Sequence, residues 1–378
     1  YAISDLLLGF NKTIKGPNSQ AGNGVYLNQT VKRIYKIGDT SLDISGMTVT
    51  VQATHPVDTT KTKEFIVPMD TNLITGFDTT ASGEKTITIT YALKEANYSI
   101  WVVDTAPSIV NEVVQVKVDQ NYTGTIGAIE DGFTMFTSIQ QALDFLNCQE
   151  LAPTMKKLIY VEAGLYKEKL EINLPYLSFV GADKETTIIE WDSLYGLKDE
   201  SGFEQVTDST QTLAVRDSAV GCTIENITIS NYWNSLDRFD AAFNPGYSEH
   251  RALAILIQAD QFKMKNCKLL GYQDTIELFT GRQWIEDTYI AGTTDFIFGT
   301  NNPTYFKNCT IHSINSEANR GDKTDGGYIT AFKGSNKGEG DAVEYGAIFD
   351  GCSFTADAKV LENSNTAIGR TWGAYAAV

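Results

Sequence analysis

Proline is scarce in this 378-residue chain, at 8 residues, and positive charge is outweighed: 30 lysines and arginines face 47 aspartates and glutamates, a net charge of −17. A surface of that sign excludes nucleic acid as a general partner. No apolar run approaches the ~20 residues of a membrane helix, which excludes a helical span. The five cysteines contain no CxxC pair, which argues against a zinc site, and their odd number argues against a closed disulfide framework. A signal-peptide pattern is also missing, and with Tyr1 in first place the chain reads as a processed or trimmed product. What is present is 42% hydrophobic residues, enough for a sizeable core and too many for wholesale disorder. Glycine, threonine, isoleucine and asparagine are plentiful, a β-rich composition. The length points to two domains, or to one elongated repeat fold plus a module.

The cysteines carry a period. Cys222, Cys267, Cys309 and Cys352 are spaced by 45, 42 and 43 residues, and each sits in a similar frame: Val220-Gly-Cys-Thr-Ile, Lys265-Asn-Cys-Lys-Leu, Lys307-Asn-Cys-Thr-Ile and Asp350-Gly-Cys-Ser-Phe. Thr288, in Glu286-Asp-Thr-Tyr-Ile, lies 21 residues from both Cys267 and Cys309. The repeat is therefore about 21 residues, and the four cysteines are expected as small buried side chains in a stacked ladder, not as reactive thiols. Short, evenly spaced strand patterns at that period, such as Lys157-Leu-Ile-Tyr-Val and Thr187-Ile-Ile-Glu-Trp, fit a parallel β-helix better than a sandwich. One amphipathic helix stands out at Ser138-Ile-Gln-Gln-Ala-Leu-Asp-Phe-Leu, with Ser138 as its N-cap.

The chain divides before that repeat. Residues 1–30 are polar and rich in glycine and asparagine, with one apolar knot at Leu6-Leu-Leu, and read as a leader or the end of an upstream module. From 31 to 105, period-2 runs such as Met47-Thr-Val-Thr-Val-Gln-Ala and Thr86-Ile-Thr-Ile-Thr-Tyr predict a small antiparallel sandwich. Tyr35-Lys-Ile-Gly-Asp, Leu42-Asp-Ile-Ser-Gly-Met and Ala81-Ser-Gly-Glu-Lys-Thr-Ile-Thr-Ile resemble bacterial immunoglobulin-like modules of secreted and surface enzymes. That resemblance implies a bacterial, extracellular protein in which the module is a spacer or attachment unit. Asp104-Thr-Ala-Pro-Ser reads as a linker, and 106–378 as the β-helix. The expected class is all-β: a parallel β-helix preceded by an immunoglobulin-like sandwich.

Polar groups are densest, within apolar surroundings, at Gly271-Tyr-Gln-Asp-Thr, Gly292-Thr-Thr-Asp-Phe-Ile-Phe-Gly and Ile368-Gly-Arg-Thr-Trp. Asp274 and Asp295 are one 21-residue repeat apart, so a β-helix would stack them at roughly the 4.8 Å spacing of neighbouring strands. Two carboxylates that close do not both ionise cheaply, and one pKa should rise. A protonated acid beside a carboxylate is the equipment of general-acid and nucleophilic chemistry. The competing reading is a solvated pair of turn aspartates; the flanking Phe296-Ile-Phe and Tyr272-Gln tell against it.

These three words, in this order and spacing, resemble those of the pectin methylesterase family, and the likeness runs from about Val113 to the C-terminus. It implies a right-handed parallel β-helix that hydrolyses the C6 methyl ester of galacturonate in pectin, releases methanol and uses no cofactor or metal. By that resemblance Asp295 is the nucleophile and Asp274 the acid, later the base. Gln273 donates to the oxyanion, Arg370 orients Asp295, and Trp372, Tyr272 and Phe298 line the sugar cleft. Phe298 is equally open to a packing role, whereas Trp372, so near Arg370, is read as cleft before packing.

The sequence departs from the family pattern at several points. A second oxyanion glutamine is usual 22 residues before Gln273, where this chain has Arg251, in His250-Arg-Ala-Leu-Ala-Ile. Arg251 can donate to an oxyanion or pair with a catalytic aspartate. His250 reads as scaffold. Glu277 stands where a tyrosine is common. Family members usually continue past the Arg-x-Trp word, so an end at Val378 is expected to leave the helix truncated. Two other readings stay open: a pectin-binding homologue without catalysis, and an esterase for another acyl group. The oligomeric state is not readable from the sequence.

Overall fold

The structure is a computed structural model that describes residues 7–11, 32–44, 48–54, 62–91, 94–191, 193, 210–231, 251–300, 302–315, 327–333, 346–363 and 366–372. His250 lies outside them.

From Lys156 onward the strands fall into three parallel sheets in which each strand pairs with the third strand after it, while Val113–Val118 and Phe133–Phe136 open the first sheet, with Ile129–Glu130 antiparallel at its edge. That is a coil repeated along an axis, the right-handed β-helix. The first sheet runs from Val113–Val118 and Lys156–Val161 through Phe262–Lys265 and Gln283–Glu286 to Ala347–Asp350. The second runs from Gly164–Tyr166 to Ser353–Ala356, and the third from Leu170–Ile172 to Ala367–Trp372. Alternation along each strand sends every second side chain inward, and the parallel register stacks like on like. Val116, Ile159, Phe179, Ile224, Met264, Ile285 and Phe306 form one such column, all buried. Ile189, Ile229, Leu269, Ile290 and Ile311 form another on the second sheet. A fully buried side chain of this size contributes about 1.5–3 kcal/mol, so the columns stabilise each coil through its neighbours.

Between the first and second sheets the chain turns through one left-handed residue per coil: Asn226, Asn266, Asp287, Asn308 and Gly351, with φ of 51–63°. Asparagine, aspartate and glycine are the residues that tolerate that conformation. The next residue of each coil points inward, and this is where the cysteine ladder lies: Ile227, Cys267, Thr288, Cys309, Cys352. Cys267 and Cys309 donate their S–H to the carbonyls of Lys265 and Lys307, and Thr288 donates its hydroxyl to that of Glu286 in the same way. Cys222 is not part of this ladder. It precedes Thr223–Glu225 of the first sheet, and Ile227 takes the rung that its spacing had suggested. The coil from Asn226 to Asn266 is longer than one repeat, so the 45-residue spacing matched only by coincidence.

The helix is Ile139–Asn147, with Ser138 and Gln141 forming a reciprocal capping box. Glu168 also accepts from the free N–H groups of Ile139 and Gln140. The helix covers one end of the β-helix, burying Ala142, Leu143, Phe145 and Leu146.

The N-terminal module has two sheets. One joins Leu7–Asn11, Thr48–Thr54 and Thr62–Pro68, all antiparallel. Leu7–Asn11 falls in the segment whose composition reads as a leader or the end of an upstream module, and its backbone pairs with Thr48–Thr54. The other sheet joins Ile34–Lys36, Lys94–Val103, Gly83–Tyr91 and Ile74–Thr75. Ile34–Lys36 runs parallel to its neighbour, so the sandwich is not wholly antiparallel. Tyr35, Ile87, Ile89, Tyr98, Ile100 and Val102 form its core. Ile34 and Val103 bury themselves in the β-helix core instead. Across this joint the Arg33 N–H donates to Asp144 of the helix at 2.7 Å.

Candidate active site

The turn that leads into the third sheet is repeated on consecutive coils. Asp274 and Asp295 both take left-handed backbone, with φ of 63° and 51°. Each stands two residues before its strand, and Ile276 pairs with Ile297. The same backbone at the same register repeats the side-chain exit direction one rung apart. The spacing of 21 residues thus becomes a pair of neighbouring carboxyl groups. Both are buried, at 6% and 5% exposed. Glycine makes the close packing possible: a Cβ on Gly292 would sit 2.2 Å from that of Phe296 and 2.6 Å from the Tyr272 carbonyl oxygen. The Thr275 hydroxyl, fully buried, pins the turn by donating to the Ala291 carbonyl at 2.8 Å.

The two carboxyl groups have different surroundings. Arg370, on Ala367–Trp372, reaches back over the Tyr328 coil and grips Asp295 with a fork, Nε to Oδ1 at 2.8 Å and a terminal nitrogen to Oδ2 at 2.5 Å. A bidentate, charge-assisted clamp fixes the plane of the carboxylate. It leaves each oxygen a second lone pair. Asp274 has no such clamp. Burial, and next the charge of Asp295, push its pKa well above the usual carboxylate range, with Glu277 adding to the rise. Arg251 and Arg370 oppose it.

Arg251 is in the site. Its backbone pairs with Gln273, as the 22-residue register implied, and its Nε lies 3.8 Å from Asp274 Oδ2. Gln273 is 9% exposed beside the aspartates. Tyr272 is half-buried next to them. Phe298 shares a register column with Leu256, Glu277, Ala331 and Arg370, is 4% exposed and packs with Leu253, Leu256 and Ala331. The Trp372 backbone pairs with Lys333; its side chain lies outside the described residues. Tyr328 was missed from sequence. It occupies the register position of Asp274 and Asp295 on the following coil, gives its carbonyl to the Asp295 N–H, holds its exposed ring under the Arg370 guanidinium at 5.7 Å, and follows a coil longer than the repeat, which hides the alignment.

The pectinesterase family model matches residues 125–378, and a bacterial Ig-like domain model (group 3) matches 29–102. The chain belongs to the pectinesterase family. It is 29% identical over 271 residues to a probable pectinesterase of Arabidopsis thaliana, covering 70% of each chain. A pectinesterase/pectinesterase inhibitor of the same plant is 30% identical over 258 residues, 67% of this chain and 40% of the relative. Among solved structures, a pectin methylesterase from Yersinia enterocolitica superposes with a TM-score of 0.54 at 31% identity, covering 63% of this chain and 71% of that one. One from Erwinia chrysanthemi gives 0.57 at 23% identity, covering 68% and 70%, a likeness of fold. Among the described residues no helix is long and apolar enough to cross a membrane.

Proposed function

We propose that this pectinesterase-family site removes methyl esters from the galacturonate units of pectin, with Asp295 as nucleophile and Asp274 as proton donor. An Asp295 oxygen attacks the ester carbonyl carbon. The Gln273 amide and the Arg251 guanidinium donate to the oxyanion that forms. The intermediate collapses with cleavage of the carbon–oxygen bond to methanol, whose oxygen takes the Asp274 proton. The resulting anhydride joins the sugar carboxyl to Asp295. Asp274, now ionised, takes a proton from water; hydroxide adds to the sugar carbonyl and Asp295 departs as carboxylate. Atoms and charge balance, and both groups return to their starting forms. Tyr272 and Trp372 are assigned to the sugar cleft. A polymer substrate of plant walls places this work outside the cell.

The observation that carries this reading is the split between neighbouring aspartates, one clamped by Arg370 and the other raised by burial. Methanol release from highly methylated pectin is the test. Asp295→Asn should lower turnover at least a hundredfold, since an amide is neither nucleophile nor partner for Arg370, while the melting transition persists. Asp274→Asn should also disable turnover. More than a few per cent of activity in Asp295→Asn would remove the nucleophile assignment. Binding of pectin by the wild type without methanol release would instead favour a non-catalytic homologue.

A further inference from the structure

The outer face of the first sheet carries a feature that the esterase site does not use. Trp284, on Gln283–Glu286, points outward and is 38% exposed. One coil on, Tyr305 covers one face of its indole, with ring centroids 4.6 Å apart and planes 19° off parallel. Tyr305 is itself held by a bond from its hydroxyl to Asp350 at 2.5 Å, and the indole Nε1 donates to Glu286 at 3.3 Å. The side of the indole facing the preceding coils borders a cleft of about 330 Å³. Thr223, Glu225, Lys263, Lys265 and Glu286 line the rest of it, with Met264. That volume lies in the range of small-ligand clefts.

We propose that this cleft is a second carbohydrate site, which holds an uncharged pyranose of methyl-esterified galacturonan; the identity of the polymer rests on the function proposed above. A fixed aromatic plane packs against the C–H face of a sugar ring at little cost in conformational entropy. The lining residues supply two ammonium donors and two carboxylate acceptors, and Lys307, beside Glu286, lies over the indole at 5.8 Å. Sugar hydroxyls both donate and accept, so such a rim suits a neutral ring; Glu286 is paired with Lys307 at 3.7 Å, and a polygalacturonate stretch would meet Glu225 on a protein of net charge −17. The strand of Trp284 directly follows the strand that Asp274 leads into, so one coil presents the catalytic turn on one face and the cleft on another. A polymer held at both sites has a raised effective concentration at the catalytic one, whereas an oligomer that only fills the catalytic cleft gains nothing.

Retardation of the protein in native gels containing polysaccharide tests this without turnover, using full-length Asp295→Asn. Highly methylated pectin should retard it, and adding Trp284→Ala should weaken retardation at least fivefold, with Trp284→Phe retaining more. Lys263→Glu, which keeps the aromatic pair, should weaken it too. In the otherwise wild-type enzyme, Trp284→Ala should raise KM on polymer several-fold and leave kcat/KM on a short methylated oligogalacturonide unchanged. Retardation indifferent to Trp284 and Lys263 overturns the proposal. Equal or stronger retardation by polygalacturonate, or by an unrelated neutral glucan, also overturns it. Trp284-dependent retardation by methylated pectin in a protein whose wild type releases no methanol would uphold this site and defeat the esterase reading alone.

Discussion

Asp274 and Arg251 set each other's behaviour at the scale of single residues. The Arg251 charge holds the Asp274 pKa below the level that burial and Asp295 would otherwise impose. Arg251→Gln removes that opposition, so the Asp274 pKa should rise further. In its proposed role as proton donor Asp274 must be protonated for acylation, and the alkaline limb of the single-turnover acylation rate should therefore move to higher pH in Arg251→Gln. A limb that moves down would contradict the assignment of Asp274 as the acid. The raised pKa also bears on folding. A carboxyl raised above its unfolded value of about 3.9 adds stability below that pH and loses it as pH climbs toward the folded pKa. Asp274→Asn should consequently raise the melting temperature more at pH 8 than at pH 4, as differential scanning calorimetry can measure, while it abolishes turnover. Asp274, Asp295, Gln273 and Arg370 stand out as candidates in three short words of the sequence. Tyr328 could not, because its coil breaks the 21-residue count.

Elements repeat here because each coil presents the same surface to the next. At four of the five rungs the inward residue after the left-handed turn is cysteine or threonine, both small and both able to donate to the carbonyl two residues back, and the first rung is Ile227. Cys309→Thr should therefore cost less than about 1 kcal/mol, a change that preserves the volume and the donor, whereas Cys309→Leu should cost about 1–3 kcal/mol by overpacking. Urea denaturation of the two variants checks this. Burial pushes the Cys267 and Cys309 thiols up to about 12. Native protein at pH 8 should accordingly leave both unmodified by a thiol reagent until it unfolds. The period showed in sequence wherever coils are of equal length. It misassigned Cys222, because spacing along the chain cannot tell a long coil from two turns of different kind.

For the whole molecule, the joint between module and β-helix is the feature that composition did not announce. The linker at 104–108 marks a boundary in the sequence, and Ile34 and Val103 nevertheless complete the core beneath the end helix. Asp144 sits at this joint. Burial, the leading cause, pushes it up to about 7, against the N–H of Arg33, the amide of Gln140 and the charges of Lys32 and Arg33. Because its folded pKa is raised, the joint should lose stability as pH rises from about 4 to about 7, by up to about 1.4 kcal/mol per pH unit. Asp144→Asn should flatten that slope, seen as protection of the Ile139–Asn147 amides in hydrogen exchange at pH 7.5 relative to wild type. Equal exchange in both proteins would place the Asp144 charge outside the joint's energetics. Deleting 1–105 uncovers the apolar contacts of Ile34 and Val103, so the truncated protein should melt lower even where methanol release per molecule is retained.

Local rules were enough for the parts of this protein that repeat or cap. Alternation marked the strands, Ser138 and Gln141 marked the start of the helix, and the spacing from Asp274 to Asp295 already implied a stacked acid pair, because a β-helix converts a sequence period directly into distance. Tertiary structure decided what depends on side chains meeting from different coils: the fork of Arg370 on Asp295, the placement of Arg251 at 3.8 Å from Asp274, the burial of Phe298, and Trp284 stacked on Tyr305. Those outcomes rest on unequal coil lengths and on which faces become covered, and neither is a property of any short stretch of chain.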